Sequence, residues 1–279
     1  MKRMKDKVVL VTGAARGQGR SHCLALAREG AKIIGVDMCH SVDEVAYPLG
    51  SQEDLDETGR MIKELGADAV LMAADTRSRS ELQEAVNAGL DQFGHIDVVV
   101  ASAGVFTWGE AQHVSEADWQ FGLDINLTGA FNTVQAVLPS MIDHNQGGSI
   151  MFTSSQLAMR GCPNTVTYSA AKAGLVGMMR ALASELAPRS IRVNTIHPSN
   201  VDTPMVRNQA VYDLFAPDNN VKGTFEDVAA VGGIFHMLPI PLLNASDISN
   251  AVMFLASDES RAITGVEFPV DAGSTQKLG

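Results

Sequence analysis

Seven short, mostly apolar runs recur along this 279-residue chain, at 8–11, 33–36, 69–72, 98–100, 149–152, 191–194 and 266–270. Most are continuous rather than alternating. A strand with one wet face alternates, whereas a continuous run is covered on both faces, the condition of a parallel sheet packed between helices. Amphipathic stretches at 80–93, 115–138 and 168–186 lie between the runs. The alternation predicts one α/β domain spanning 1–279, a doubly wound seven-stranded parallel sheet with helices on both faces.

Composition narrows the function classes. Net charge is 21 − 32 = −11, which disfavours nucleic acid or an anionic membrane as partner. Cys23, Cys39 and Cys162 are too few and scattered for a disulfide framework and fit a reducing cytoplasm. The basic start followed by an apolar run superficially resembles a signal peptide. The run is short and breaks at Thr12-Gly13, so a cytoplasmic protein without a membrane span is expected. The histidines, His22, His40 and His236 among them, show no ligand spacing, so no metal is expected.

Two regions depart from the strand–helix rhythm. Residues 40–59 form a polar, Asp/Glu-rich insertion after the second run, longer than the usual connection. Residues 205–243 carry Phe215, Phe225, Phe235, Met237 and three prolines without a clear strand. Apolar side chains outside the rhythm suggest a helical lid over a pocket. An oligomer contact or a packed surface excursion are the other readings.

Thr12-Gly13-Ala14-Ala15-Arg16-Gly17-Gln18-Gly19 follows the first run and opens the first helix. Glycines there allow a tight turn and let backbone N–H groups approach a pyrophosphate at the helix N-terminus. Asp37 ends the second strand, where a carboxylate accepts from an adenosine ribose diol and repels a 2′-phosphate, favouring NAD over NADP. Arg16 cuts the other way, since an arginine in that loop can serve a 2′-phosphate. Asp37 weighs more, and Arg16 reads as a solvated or helix-facing member of the cofactor loop. Met38 and Thr76 flank the same groove, and Asp75 contacts the adenine amine or starts a helix.

Tyr168-Ser-Ala-Ala-Lys172, with Ser155 thirteen positions upstream of the tyrosine, supplies the reacting groups. A tyrosine and a lysine four apart share one helix face. An ammonium beside a phenol lowers its pKa toward the working range of a general acid/base. The serine hydroxyl then holds the oxygen of a carbonyl or alcohol. Phe106 and Trp108, after the fourth strand, line the pocket or anchor their loop. Gln156, Leu157, Cys162 and Asn164 are bracketed by the two catalytic groups and read as pocket walls, and Met205 opens the lid region.

Together these motifs resemble the short-chain dehydrogenase/reductase family over essentially the whole chain. The resemblance also runs through Ala101-Ser102-Ala103-Gly104, Asp124-Ile125-Asn126-Leu127 and Val193-Asn194-Thr195-Ile196-His197-Pro198. It implies a single NAD-binding Rossmann domain with Tyr168 as proton donor or acceptor. Lys172 would tune Tyr168 and hold the nicotinamide ribose, Ser155 would orient substrate, and Asn126, at a helix break, would position a water relay. Ser154 is the rival serine, one residue out of register. Ser102, Ala103, Gly104, Pro198, Val201 and Thr203 join the cofactor set. Two departures stand out. The family's Asn-Asn-Ala-Gly is here Ala101-Ser102-Ala103-Gly104, so Ser102 must remake a hydrogen bond, and its Pro-Gly is Pro198-Ser199.

The glycine loop, the insertion after Asp37 and the segment 197–205 also resemble the mycofactocin-associated branch of that family, which includes carveol dehydrogenases of actinobacteria. That branch implies NAD held too tightly to exchange, with electrons passed to the redox peptide cofactor mycofactocin. The insertion would fold over the adenosine. Family habit implies a homotetramer through the helices at 115–138 and 168–186. The expected activity is NAD-dependent interconversion of a lipophilic secondary alcohol, terpenoid or steroid-like, and its ketone. The alternatives are 3-oxoacyl thioester reduction and a nucleotide-binding regulator on the same fold.

Overall fold

A computed structural model describes residues 2–218 and 221–277. Its strands are β1 (Val8–Thr12), β2 (Lys32–Asp37), β3 (Ala69–Ala73), β4 (Val98–Ala101), β5 (Gly148–Thr153), β6 (Ile191–Pro198), β7 (Val201–Asp202), β8 (Leu243–Asn244) and β9 (Glu267–Val270). The helices are α1 (Gly17–Arg28), α2 (Gln52–Glu64), α3 (Arg79–Phe93), α4 (Glu116–Leu123), α5 (Gly129–His144), α6 (Val166–Leu186), α7 (Gln209–Leu214), α8 (Phe225–Phe235) and α9 (Ala245–Ala256).

All seven expected runs are strands of one sheet, ordered β3-β2-β1-β4-β5-β6-β9. Every neighbouring pair is parallel. Side-chain alternation splits the core. Val9 and Val11 of β1 face the layer containing Leu26, Leu55, Ile248 and Val252. Val8 and Leu10 face the layer containing Val86, Val134, Met179 and Phe152. Chain order runs one way from β1 through β2 to β3 and the other way from β4, so the sheet has its topological switch between β1 and β4. The crevice beyond the C-terminal ends of those two strands is where such a sheet binds ligands.

Two boundaries differ from the sequence reading. The helix expected over 115–138 is two helices, α4 and α5, joined by a π-helical turn at Asp124–Thr128. The insertion expected at 40–59 ends earlier, because Ser51 caps α2 and forms a capping box with Asp54. Its acidic residues Glu53 and Asp54 therefore belong to the first helical turn, where carboxylates favour the helix dipole. The region 205–243 is the helical excursion expected, carrying α7 and α8, though Asn219 and Asn220 within it lie outside the described residues. A strand pair that sequence periodicity does not reveal, β7 with β8, ties its two ends together through Val201–Leu243 and Asp202–Asn244. Two-residue strands are too short to leave a period.

Phe152, on β5, is fully buried between the sheet and its helices. Phe152→Ala removes that volume and is expected to cost about 3–5 kcal/mol, read as a lower midpoint of urea unfolding with unchanged slope.

Candidate active site

The glycine loop sits at the β1–β4 crevice. Gly13 has φ +73°, and a Cβ there would lie 3.1 Å from the Ala103 Cα. At Gly19 a Cβ would lie 1.9 Å from the Gly13 carbonyl oxygen, so α1 begins flush against the loop. The N-cap of α1, Arg16, makes no side-chain cap. The first N–H groups of the helix therefore face the groove, a setting that suits an anion. Thr12 bridges the glycine loop to the residues that follow β4. Its Oγ1 accepts from the Ser102 and Ala103 N–H groups, each at 3.0 Å. A hydroxyl oxygen with two lone pairs can hold both N–H groups, a contact that the place of Thr12 at the head of the glycine loop does not reveal.

The groove is lined by Gly13, Arg16, Gly17, Gln18, Gly19, Asp37, Met38, Asp75, Thr76, Ser102, Ala103 and Gly104, each expected from the sequence. Asp37 accepts from Ala15 N–H at 3.0 Å and Cys39 N–H at 3.3 Å, which fixes its carboxylate at the groove edge. Asp75 pairs with Arg77 at 2.6 Å, and the cap of α3 is Ser78, so Asp75 does not start that helix. Arg16 is half-buried at the groove edge. It donates to the Pro48 carbonyl of the segment 38–51.

That segment is a strap across the groove. Its polar composition hides an apolar inner edge: Val45 and Tyr47 are buried against Val105, Phe121 and Ile125. The Tyr47 hydroxyl accepts from the Phe106 N–H at 2.8 Å. Phe106 in turn meets Tyr168 edge to face, ring centroids 5.2 Å apart at 88°. Tyr47 thus ties the strap to the reacting end, a link with no signal in sequence spacing.

At that end Ser155, Tyr168 and Lys172 line one cavity of about 440 Å³. Burial pushes the Tyr168 phenol up to about 12, against the opposing effect of its hydrogen bond with Ser155. Burial likewise pushes the Lys172 ammonium down to about 8. Its Nζ donates to the Thr153 carbonyl at 2.8 Å and stands 5.5 Å from the centre of the Tyr168 ring. Burial, which disfavours charge on either group, is the leading influence on both. Ser154 is not the catalytic serine's rival: its hydroxyl donates to the Lys172 carbonyl at 2.9 Å. Ser155 is held by the buried His197, whose Nδ1 pairs with the Ser155 carbonyl at 2.9 Å.

Asn126 does sit in the helix break. Its Nδ2 donates to the Val105 and Gly122 carbonyls, each at 3.0 Å, and its Oδ1 accepts from Val105 N–H at 3.1 Å. The side chain is thereby committed to backbone and lines neither the groove nor the cavity. A Cβ on Gly104 would lie 2.8 Å from Asn126 Oδ1 and 3.2 Å from Lys172 Nζ, so the glycine lets the two approach the loop.

The expected wall residues Phe106, Trp108, Gln156, Leu157, Cys162, Asn164 and Met205 all line the cavity, as do Pro198, Val201 and Thr203. From the lid come Val211, Leu214, Phe215, Val228 and Phe235. Phe225 instead packs on Tyr212 and Arg207, and Met237 is exposed. Arg160 lines the cavity without having been singled out, and Ser199, noted only as a departure from the family's glycine, lines it too. Ser199, in place of the family's glycine, pairs with His236 at 2.6 Å and fastens the end of α8. Gln18, Ser102, Gly104, Thr203 and Met205 border both groove and cavity, making them one continuous site. Far from it, His95, Asp97 and His144 come together, a grouping the linear spacing did not show. Asp97 there already accepts from Val8 N–H and Lys7.

A family model described as short chain dehydrogenase matches residues 7–211. The chain is 42% identical over 278 residues to (-)-trans-carveol dehydrogenase of Rhodococcus erythropolis, covering 99% of this chain and 100% of that one. The crystal structure of carveol dehydrogenase from Mycobacterium avium in complex with NAD superposes with TM-score 0.97 at 46% identity, covering 99% of this chain and 100% of the other. A short chain dehydrogenase from Mycobacterium paratuberculosis bound to NAD gives TM-score 0.90 at 37% identity, with coverage of 99% and 100%.

Tyr47→Phe leaves the Phe106 N–H without its acceptor. The expected result is a stability loss of about 1–3 kcal/mol together with a raised KM for the alcohol. Parental values of both in a thermal melt and steady-state assay would show that strap and substrate wall are uncoupled.

Proposed function

The chain belongs to the short-chain dehydrogenase/reductase family, and on that footing we propose that it interconverts a lipophilic secondary alcohol and its ketone with NAD. The observation that carries this is the convergence of Ser155, Tyr168 and Lys172 on an apolar, lidded cavity continuous with the glycine-loop groove. The groove fits the dinucleotide. Its glycines leave room for backbone approach to a pyrophosphate, and Asp37 stands where a ribose diol would be held. Arg16, the residue that would serve a 2′-phosphate, gives one nitrogen to Pro48, while the Asp37 carboxylate would repel such a phosphate, which favours NAD. Bound NAD supplies the hydride acceptor or donor.

The protein's own groups handle the proton. Tyr168 takes the hydroxyl proton during oxidation and returns it during reduction, while Ser155 orients the substrate oxygen. Lys172, buried and held by Thr153, positions the tyrosine and reaches toward the nicotinamide ribose. Asn126 acts as a positioning residue, pinning the helix break to the β4 loop. The apolar lid, and a relative named for trans-carveol, favour a terpenoid-like alcohol over a sugar. A 3-oxoacyl thioester would bring a long polar carrier arm, to which this cavity offers mainly apolar wall. A nucleotide-binding regulator would have no use for the three reacting groups kept together.

The strap supports tight retention of NAD, with electrons leaving to a redox peptide such as mycofactocin. Two fastenings, Arg16 to Pro48 and Tyr47 to Phe106, hold it over the groove. Assembly through α4, α5 and α6 into a tetramer is supported by exposed Trp119, Phe131 and Val166 on those helices. Among the described residues no helix is long and apolar enough to cross a membrane.

Tyr168→Phe should abolish alcohol oxidation while leaving nucleotide binding intact; surviving turnover would remove Tyr168 from the mechanism. The direction of the tyrosine shift sets the pH dependence. Oxidation needs the phenolate, which is scarce below a pKa of about 12, so its rate should climb from about pH 7 to about pH 10. Reduction uses the neutral phenol and should show no such rise. Retention is read separately: the purified protein is expected to carry NAD through gel filtration, and a nucleotide-free preparation that turns over with added NAD would refute it.

A further inference from the structure

The chain carries 32 aspartates and glutamates, yet among the described residues none of them lines the substrate cavity. Its two cations are Lys172 and Arg160. Lys172 is accounted for by the Thr153 carbonyl and the tyrosine beside it. Arg160 has no such role. It closes the short turn after Ser155, its N–H donating to the Gln156 carbonyl at 3.0 Å. Its Nη1 donates to the Ser274 carbonyl at 2.7 Å, and its guanidinium carbon stands 5.3 Å from the centre of the Phe235 ring. Tyr168 stands instead against Phe106, so the two groups belong to different walls.

The rest of the guanidinium is Nε and Nη2. Among the described residues neither takes a hydrogen-bond partner, neither is sealed from solvent, and no carboxylate lies within 4.0 Å. The two nitrogens share one edge of the planar group, a two-donor fork that matches the two oxygens of a carboxylate. Three other arginines of this chain use the edge in that way: Arg207 on Asp202, Arg77 on Asp75 and Arg60 on Glu57. A carbonyl or hydroxyl could accept there, but it would leave the charge uncompensated as substrate displaces water. A phosphate would bring three acceptor oxygens to two donors.

We propose that the substrate is a hydroxy acid, a secondary alcohol whose carboxylate is set apart from the carbinol by an apolar ring or chain and is held by the Nε/Nη2 edge of Arg160. This rests on the alcohol dehydrogenase reading and names the substrate class within it. The carbinol lies against Ser155 and Tyr168, and Leu157, Val211, Leu214 and Phe215 cover the apolar middle. Phe235, the last residue of α8, packs beside the same guanidinium, so the acid end lies next to the lid. The carboxylate is neither oxidised nor transferred. Hydride and proton leave the carbinol alone, and the product is the keto acid.

The test uses the NAD-bound enzyme with 4-hydroxycyclohexylacetate and 3-(4-hydroxycyclohexyl)propanoate. Each is compared at neutral pH with its primary amide, which keeps the shape and loses the charge. In at least one pair the acid is expected to exceed the amide by about tenfold or more in kcat/KM. That ratio should fall toward one in Arg160→Gln, which keeps an N–H for the Ser274 carbonyl, and be partly kept in Arg160→Lys. A ratio taken on one preparation cancels any loss of folded protein. Calorimetric binding of the same compounds reads the ratio without turnover. No acid preference in either measurement, or a preference that survives Arg160→Gln, overturns the proposal. Neutral 4-propylcyclohexanol tests the dehydrogenase reading by itself: its oxidation without any acid preference keeps that reading and removes the carboxylate. Tighter binding of acid than amide, lost in Arg160→Gln, with no compound oxidised, counts against the dehydrogenase reading and not against the Arg160 site.

Discussion

The reversal of strand order between β1 and β4 is the constraint on which everything else depends. Two parallel strands that diverge into opposite halves of a sheet leave a crevice that no crossover helix fills. The crevice is held to a narrow width by one side chain, Thr12, whose hydroxyl accepts two backbone N–H groups from beyond β4. Gly13 then lies close against Ala103 with no room for a side chain. The glycine loop, the start of α1 and the β4 loop therefore form one rigid lip. The cofactor groove is the outside of that lip, and the substrate cavity continues from it past Ser102 and Gly104.

Burial at the reacting end works on the two titrating groups in opposite senses. Desolvation disfavours charge on either partner, so the phenol holds its proton more tightly and the ammonium less tightly. The neutral form of each is thus favoured, which moves the lysine toward the working range and the tyrosine away from it. The backbone around the pair is locked: Ser154 bonds the Lys172 carbonyl, His197 bonds the Ser155 carbonyl, and Lys172 bonds the Thr153 carbonyl. With the geometry fixed this way, a change in local charge moves protons rather than side chains.

What was legible in the sequence follows from range. The sheet was legible because continuous apolarity is a local pattern, and all seven runs became parallel strands. The glycine loop, Asp37 and the Tyr168–Lys172 pair were legible because their chemistry depends on neighbours within a turn or at a strand end. The strap was misjudged because its bounds were drawn by acidity. Those carboxylates cap α2, whereas its working residues Val45 and Tyr47 touch elements about sixty residues or more away. The contacts of Thr12, His197 and Ser199 were not legible for the same reason: each acts through a partner far along the chain. Asn126 was legible at its helix break, while the backbone partners its side chain takes there, Val105 and Gly122, were not.

Strap and lid, which the sequence presents as two unrelated irregularities, converge on the same atoms. Met205, at the base of the lid, packs with Val42, Leu49 and Trp108 against the cluster that buries Tyr47. It also borders both the groove and the cavity. The lid's far end is fixed separately, by β7 with β8, by Ser199 with His236, and by Lys277 donating to the carbonyls of Ile234 and His236. A segment tied at its far end and packed at its near end against the strap cannot lift at Met205 without disturbing the cofactor's cover. Strap and lid thus share one packing contact at Met205, and the strap reaches Tyr168 through Tyr47 and Phe106.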